Sequence, residues 1–106
     1  MQHSFGMSPF EALAEPNRRQ ILDLLRAGER PAGELVEALN LSQPGVSKHL
    51  RVLREAGLVA VTADGQRRLY RLQPARLAEL DAWLTPYRHF WAHRLDALVD
   101  HLEREQ

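Results

Sequence analysis

Apolar residues in the first quarter of the chain recur at the three- and four-residue spacing of amphipathic helices. Ser8, with Pro9 behind it and Glu11 three positions on, has the pattern of a capped helix start. A second helix begins near Pro16, because the residue before a proline avoids helical geometry, and it ends near Gly28. The pattern therefore predicts two short helices in this part of the chain.

Two further helices are predicted at residues 31–39 and 43–56, separated by a tight turn. Ser42 is a favourable N-cap for the second of them, and Pro44 falls in its first turn, where the missing N–H costs little. Gly57 is placed to end that helix. Two helices joined by so short a turn are typical of a helix-turn-helix.

The periodicity then changes from helical to strand-like. Residues 58–63 and 67–72 are strand-like, and the Asp64-Gly65 pair between them is a strong hairpin signal. A helix-turn-helix followed by such a hairpin is the winged helix-turn-helix plan.

The chain is long enough for one domain, which we take to cover residues 1–106. Its predicted parts are the helix-turn-helix at 31–56, the wing at 58–72 and C-terminal helices at 74–104. Pro86 predicts a kink or split in the last segment, and therefore two helices there. The expected fold class is mainly α with a small β-hairpin.

The helix at 43–56, the recognition helix, has two different faces. At about 100° per residue, Val46, Leu50 and Leu53 fall on one narrow arc and must face the core. The rest of the helix is predominantly polar, and its candidate DNA contacts are Gln43, Ser47, Lys48, His49, Arg51 and Arg54.

Different contacts are expected along this face. Gln43 has the donor and acceptor groups to read adenine, and Lys48 can reach guanine. Arg51 and Arg54 suit phosphates better than bases. His49 lies on the edge of the apolar face, where packing is the favoured interpretation and base reading the alternative.

The formal net charge of the chain is zero, but the charge is unevenly distributed. Residues 42–72 hold six basic and two acidic residues, a net charge of +4, whereas the segments on either side each carry −2. Arg67 and Arg68 follow the hairpin turn at the predicted wing tip, where they fit a minor groove or its phosphates. A basic middle between acidic ends favours a surface that meets phosphates over a solvated polar face.

Three stretches resemble ArsR-type repressors. Residues 41–59 (LSQPGVSKHLRVLREAGLV) resemble the recognition region of that family, residues 16–25 (PNRRQILDLL) its second helix, and residues 64–72 (DGQRRLYRL) its wing. The similarity covers roughly residues 8–85. It implies a homodimer that binds a palindromic operator and represses nearby genes, often its own.

The sequence departs from the metal-sensing members of that family. Those members often carry a cysteine pair in helix three, where this chain has Glu34-Leu35-Val36-Glu37-Ala38, and the whole chain has no cysteine. Residues 83–95 are more similar to a metal-free subgroup. We therefore expect a repressor that needs no metal and no cofactor; the effector is not identified by the sequence.

The C-terminal segment is richer in apolar residues than a small domain core can cover. Leucine, tyrosine and tryptophan residues recur there at spacings of three and four, which favours a subunit interface over a self-contained core. With two residues of the first helix, the candidate dimer contacts are Phe10, Leu13, Leu84, Tyr87, Trp91, Leu95 and Leu98.

We call these apolar residues of the C-terminal segment the seam. A second stripe of the same segment, nearly opposite the seam, contains possible metal ligands. Its members are His89, His93, Asp96 and Asp100. Nitrogen–oxygen spacing alone is a weak metal signal, and a solvated face with His–Asp pairs is the favoured interpretation. A zinc, nickel or cobalt sensor using this stripe is the first alternative function.

Composition excludes several other classes. The chain has no apolar run that would span a membrane, and residues 1–7 lack the features of a signal peptide, so the expected location is the cytoplasm, at the nucleoid. No catalytic constellation can be defended, so we expect no enzyme. A winged-helix protein-interaction module without DNA binding is the remaining alternative, which the basic middle segment disfavours.

Overall fold

The computed structural model describes residues 7–105, so the expectation about a signal peptide in residues 1–7 lies almost entirely outside the described residues. The elements, in chain order, are α1 (Pro9–Ala12), α2 (Pro16–Leu25), β1 (Arg30–Pro31), α3 (Ala32–Leu39), α4 (Gln43–Glu55), β2 (Val59–Asp64), β3 (Arg67–Leu72), a 3-10 turn (Pro74–Arg76) and α5 (Leu77–Arg104). The mainly helical winged helix-turn-helix fold is confirmed. None of the helices within residues 7–105 is long and apolar enough to cross a membrane.

Side-chain caps fix the starts of the first two helices. At α1 the Glu11 N–H donates to Ser8 Oγ at 3.2 Å and the Ser8 N–H donates to Glu11 Oε1 at 3.0 Å, which is the predicted capping box. Glu15 caps α2 by accepting from the N–H groups of Asn17 and Arg18. These caps satisfy backbone donors that have no partner inside the helix.

The core lies where α2, α3 and α4 meet the base of the wing. Its largest fully buried side chains are Ile21, Leu35, Val46, Leu50, Leu53 and Leu58. The three apolar positions assigned to the inner face of the recognition helix are all among them, so that orientation follows the predicted helical wheel.

The sheet has one strand more than the predicted hairpin. β1 pairs antiparallel with β3, Arg30 opposite Tyr70, and gives the strand order β1-β3-β2. The prediction that Pro31 opens helix three was therefore wrong by one residue. Pro31 is extended, with φ −73° and ψ 157°, and it serves both as a strand residue and as the N-cap of α3.

The C-terminal segment is one helix, and the predicted split at Pro86 was wrong. α5 runs unbroken from Leu77 to Arg104. Thr85 donates its hydroxyl to the Asp81 carbonyl oxygen at 2.9 Å, and the Asp81 carboxylate pairs with Arg88, two residues beyond the proline. A proline removes one ladder hydrogen bond and its ring crowds the carbonyl four residues earlier, yet the helix continues past Pro86.

α5 extends away from the rest of the molecule. Its 28 residues make a rod of about 42 Å, and none of them is buried. The radius of gyration is 18.3 Å, against about 13 Å for a compact domain of this length. The helix packs chiefly against α1 and the 3-10 turn, which leaves most of its apolar surface without a partner in this chain.

Candidate nucleic-acid interface

A tight turn and an N-terminal cap set the orientation of the recognition helix α4. Asn40 ends α3 in the left-handed region, with φ 55° and ψ 42°, a conformation that asparagine tolerates better than most residues. The Gly45 N–H then donates to Ser42 Oγ at 3.1 Å at the start of α4. A Cβ on residue 45 would lie only 3.0 Å from that oxygen, so a side chain at this position would crowd the cap.

Five of the six candidate DNA contacts on α4 are solvent-exposed. They are Gln43, Ser47, Lys48, Arg51 and Arg54. Gln43 is the first residue of the helix, and Ser47 lies one turn further along the helix. The N-terminal half of α4 therefore presents uncharged hydrogen-bonding groups and one lysine, and the C-terminal half presents arginines.

A cleft of about 500 Å³ separates the C-terminal half of α4 from strand β2 of the wing. Arg51 and Arg54 line its helix side, and Ala60 and Val61 line its strand side. Two guanidinium groups beside an open cleft can bind a phosphate-bearing strand through charge-assisted hydrogen bonds. Glu55 also lines the cleft and limits how much anionic charge it accepts.

The sixth candidate on α4, His49, is placed differently. It is half-buried, and its Nδ1 lies 3.4 Å from Nη1 of Arg18 on α2. The same arginine donates from Nε to the carbonyl oxygen of Ala12 at 2.6 Å. His49 therefore faces the α1–α2 junction, which agrees with the packing interpretation favoured from the sequence.

Glu15, at the start of α2, is part of the same junction. Partial burial raises the pKa of its carboxyl group, but the N–H donors of Asn17 and Arg18 outweigh that effect, helped by the charges of His49 and Arg18. The net result is a pKa below the ordinary value of 4.5. The carboxylate form is thus stabilised in the folded chain.

The two wing arginines lie on opposite faces of the hairpin, because side chains alternate along a strand. Arg68 is paired in register with Ala63, and Arg67 makes an exposed ion pair with Asp64 at 3.3 Å. An exposed pair of this kind contributes only about 0–1 kcal/mol, so it does not prevent Arg67 from turning to another anion.

Sequence reasoning missed Arg71 as a candidate contact. It is exposed, lies on the same strand face as Arg67, and donates from Nη1 to Thr62 Oγ1 across the hairpin. The strand alternation of residues 67, 69 and 71 was the signal that could have found it.

The candidate metal ligands form no metal-binding group among the described residues. His89, His93, Asp96 and Asp100 are all exposed on α5. Within residues 7–105, no three histidine, aspartate or glutamate side chains lie together in a way that could hold a metal ion.

The candidate dimer contacts are mostly exposed in the single chain. The exposed fraction is 43% for Phe10, 46% for Tyr87, 51% for Trp91, 60% for Leu95 and 51% for Leu98. The other two, Leu13 and Leu84, are half-buried.

An aromatic cluster that sequence reasoning did not assign joins α1 to α5. The Phe10 and Trp83 rings meet edge to face with centroids 6.0 Å apart, and Trp83 lies 4.9 Å from Tyr87. The cluster fixes the first helix against the long one through contacts that aromatic pairs favour.

Comparison with known sequences identifies the class of this winged helix. The profile described as "Bacterial regulatory protein, arsR family" matches residues 15–61, which run from the cap of α2 to the start of the wing. The transcriptional repressor SdpR of Bacillus subtilis is 37% identical over 71% of this chain and 83% of its own length. This chain belongs to the arsR family.

Further relatives extend the similarity beyond the matched segment. An HTH-type transcriptional regulator of Mycobacterium tuberculosis is 38% identical over 91% of this chain and 87% of its own length. The crystal structure of a possible transcriptional regulator for arsenical resistance superposes with a TM-score of 0.69 at 43% identity, covering 88% of this chain and 94% of that one. This arsR-family protein is therefore a DNA-binding transcriptional regulator and not an enzyme.

Proposed function

We propose that this arsR-family protein is a homodimeric repressor that binds a palindromic operator without needing a metal ion. The observation that carries the proposal is the recognition helix, which buries its apolar face completely and exposes polar and basic side chains beside a basic wing. Such a helix is long enough to lie along a major groove, with the wing reaching the adjacent backbone. Repression also agrees with the function named for the related SdpR.

Each candidate residue has a role in this proposal. Gln43, Ser47 and Lys48 contact base edges, whereas Arg51 and Arg54 contact phosphates. The wing arginines, Arg67 and Arg68, contact the backbone or minor groove independently of sequence. His49 supports the recognition helix by packing against the α1–α2 junction.

Dimerisation follows from the unpartnered surface of α5. Its seam residues are about half exposed in the single chain, which is an unfavourable state for large apolar side chains. A two-fold operator also requires a two-fold protein. We place the interface along α5 and α1, and the DNA-binding elements at 31–72, within a single domain.

Metal independence rests on ligand chemistry. The solved relative is described as a possible transcriptional regulator for arsenical resistance. Soft metals and metalloids are held by thiolates, and this chain has no cysteine to supply one. The histidine stripe lies on the far side of α5 from the seam. An ion bound there would have nearly the same affinity for two arrangements of the dimer, so it would not shift the dimer from one to the other. Zinc, nickel and cobalt should each leave the operator complex intact; release at stoichiometric metal that disappears in His89→Ala or His93→Ala would favour a metal sensor.

Selection of bound sequences from a random DNA pool tests the proposal. The enriched sites should contain two inverted half-sites and bind two chains. Failure to enrich any sequence would contradict operator binding, and enrichment of a single half-site bound by one chain would contradict the dimer.

A further inference from the structure

A cavity of about 310 Å³ lies where α1, α2, β3 and the beginning of α5 meet, away from the recognition helix. Four leucines form its apolar lining: Leu13, which directly follows α1, Leu22 on α2, Leu72 on β3 and Leu77 on α5. A volume in this range is at the lower end of those that hold small ligands.

Charged side chains of α2 border the same cavity. Arg19, Asp23 and Arg26 lie on one stripe of the helix, since they are four and three residues apart, and together they carry a net charge of +1. Arg19 donates from Nη1 to the Leu13 carbonyl oxygen at 2.7 Å, which holds it at the cavity rim. None of the ion pairs within residues 7–105 includes these three residues, so both guanidinium groups keep donors for a ligand.

We propose that this cavity is an effector site for a linear amphipathic carboxylate of medium chain length. The alkyl chain lies against the leucines, and the carboxylate accepts hydrogen bonds from Arg26 and Arg19. A neutral alcohol lacks the charge that the arginines stabilise, and an alkylammonium is repelled by them. Charge complementarity therefore selects the anion among molecules of similar shape.

The position of the cavity gives such a ligand a means of regulation. α1 and α5 carry the candidate dimer contacts, whereas β3 belongs to the wing. A ligand held between them changes how the long helix sits on the DNA-binding part, and so changes the spacing of two recognition helices in a dimer. This regulatory step rests on the proposed function, whereas ligand binding does not.

Binding is measured by calorimetry on the full chain without DNA, using octanoate and decanoate at neutral pH. One equivalent should bind per chain, with affinity rising about fourfold for each added methylene. Octanol should bind at least tenfold more weakly than octanoate, and octylammonium should not bind. Equal affinity for octanoate and octanol, or no binding by decanoate, would overturn the proposal.

Two variants at the cavity and one control on α5 test where the ligand binds. Arg26→Gln should weaken decanoate binding about tenfold, because a charge-assisted hydrogen bond is lost. Asp23→Asn should strengthen it by removing a repelling carboxylate, and the control Arg104→Gln, an equal charge change at the far end of α5, should have no effect. Equal weakening by Arg26→Gln and Arg104→Gln would show non-specific attraction and overturn the proposal.

Two further measurements separate the possible outcomes. Sedimentation with saturating decanoate should leave the oligomeric state unchanged. Dissociation would show that decanoate displaces a second chain from the cavity, since Leu13 is also a candidate dimer contact, and would overturn the effector site. Operator affinity should then change at least threefold with decanoate in the native chain, and Arg26→Gln should need about tenfold more decanoate for the same change. If decanoate binds but no operator exists, the proposed function fails while the site remains.

Discussion

Nη1 of Arg18 lies 3.4 Å from Nδ1 of His49, across 31 residues of sequence. The guanidinium also holds the Ala12 carbonyl oxygen at the end of α1, and α1 in turn contacts α5 through Phe10 and Trp83. One side chain thus connects the recognition helix with the helices that carry the candidate dimer contacts.

Replacement of His49 tests whether it positions the helix or reads a base. His49→Ala should lower the free energy of unfolding by about 1 kcal/mol, the usual contribution of one hydrogen bond. It should weaken binding to all DNA sequences alike, because the tilt of α4 changes while its exposed face does not. Chemical denaturation and fluorescence anisotropy measure the two effects, with exposed His93→Ala as the control. A loss confined to one base-pair position would instead make His49 a base reader.

Glu15 makes the free energy of unfolding depend on pH in the acidic range. The pKa of Glu15 is below 4.5 in the folded chain. The carboxylate therefore contributes fully to the free energy of unfolding above pH 4.5, and this contribution is lost as the pH falls through the pKa of the folded state. Glu15→Gln should therefore be less stable than the native chain at neutral pH, and the difference should shrink on acidification. Denaturation midpoints between pH 7 and pH 3 check this, against Glu29→Gln, an exposed position outside the helices. A constant difference across that range would contradict it.

The recognition helix and the wing should contribute differently to DNA binding. Gln43→Ala or Ser47→Ala should relax preference at one base-pair position by about 1–3 kcal/mol. Arg67→Ala or Arg68→Ala should weaken all sequences alike and reduce the salt slope by about 1. Binding of single-base operator variants at several salt concentrations separates the two effects. The reverse pattern, with base preference altered by the wing variants, would show that the docking is wrong.

A charge on the α5 seam should separate the subunits. Leu95 is 60% exposed in the single chain and is one of the candidate dimer contacts, so Leu95→Glu would bury an unpaired carboxylate in the proposed dimer. Light scattering should show monomers, with operator binding greatly weakened. His93→Glu adds the same charge on the opposite face and should remain dimeric. A dimeric Leu95→Glu would place the interface elsewhere, with α1 the next candidate.

Much of the fold could be predicted because its signals are local. The caps at Ser8 and Ser42, the Asp64-Gly65 turn and the helical spacing of apolar residues each act within a few positions. Strand β1 could not be found this way, because its two residues have no pattern of their own and pair with a strand about forty positions later. The continuity of α5 was missed because proline was given more weight than the hydrogen bonds on either side of it.

The candidate site was predictable only in part, for a similar reason. Exposure of the polar face of α4 follows from the burial of the opposite face, which the sequence pattern contains. The contact of His49 with Arg18 depends on how two helices pack, and pairing of Arg67 with Asp64 depends on the geometry of the turn. Neither arrangement is encoded in residue spacing along one element.

A gel-shift series on the selected DNA across salt concentrations tests whether two chains bind one two-fold operator. We expect one complex that contains two chains on half-sites about 10–10.5 base pairs apart, with affinity falling steeply as salt rises. Binding that does not change with salt, or that tolerates any spacing between the half-sites, would contradict it.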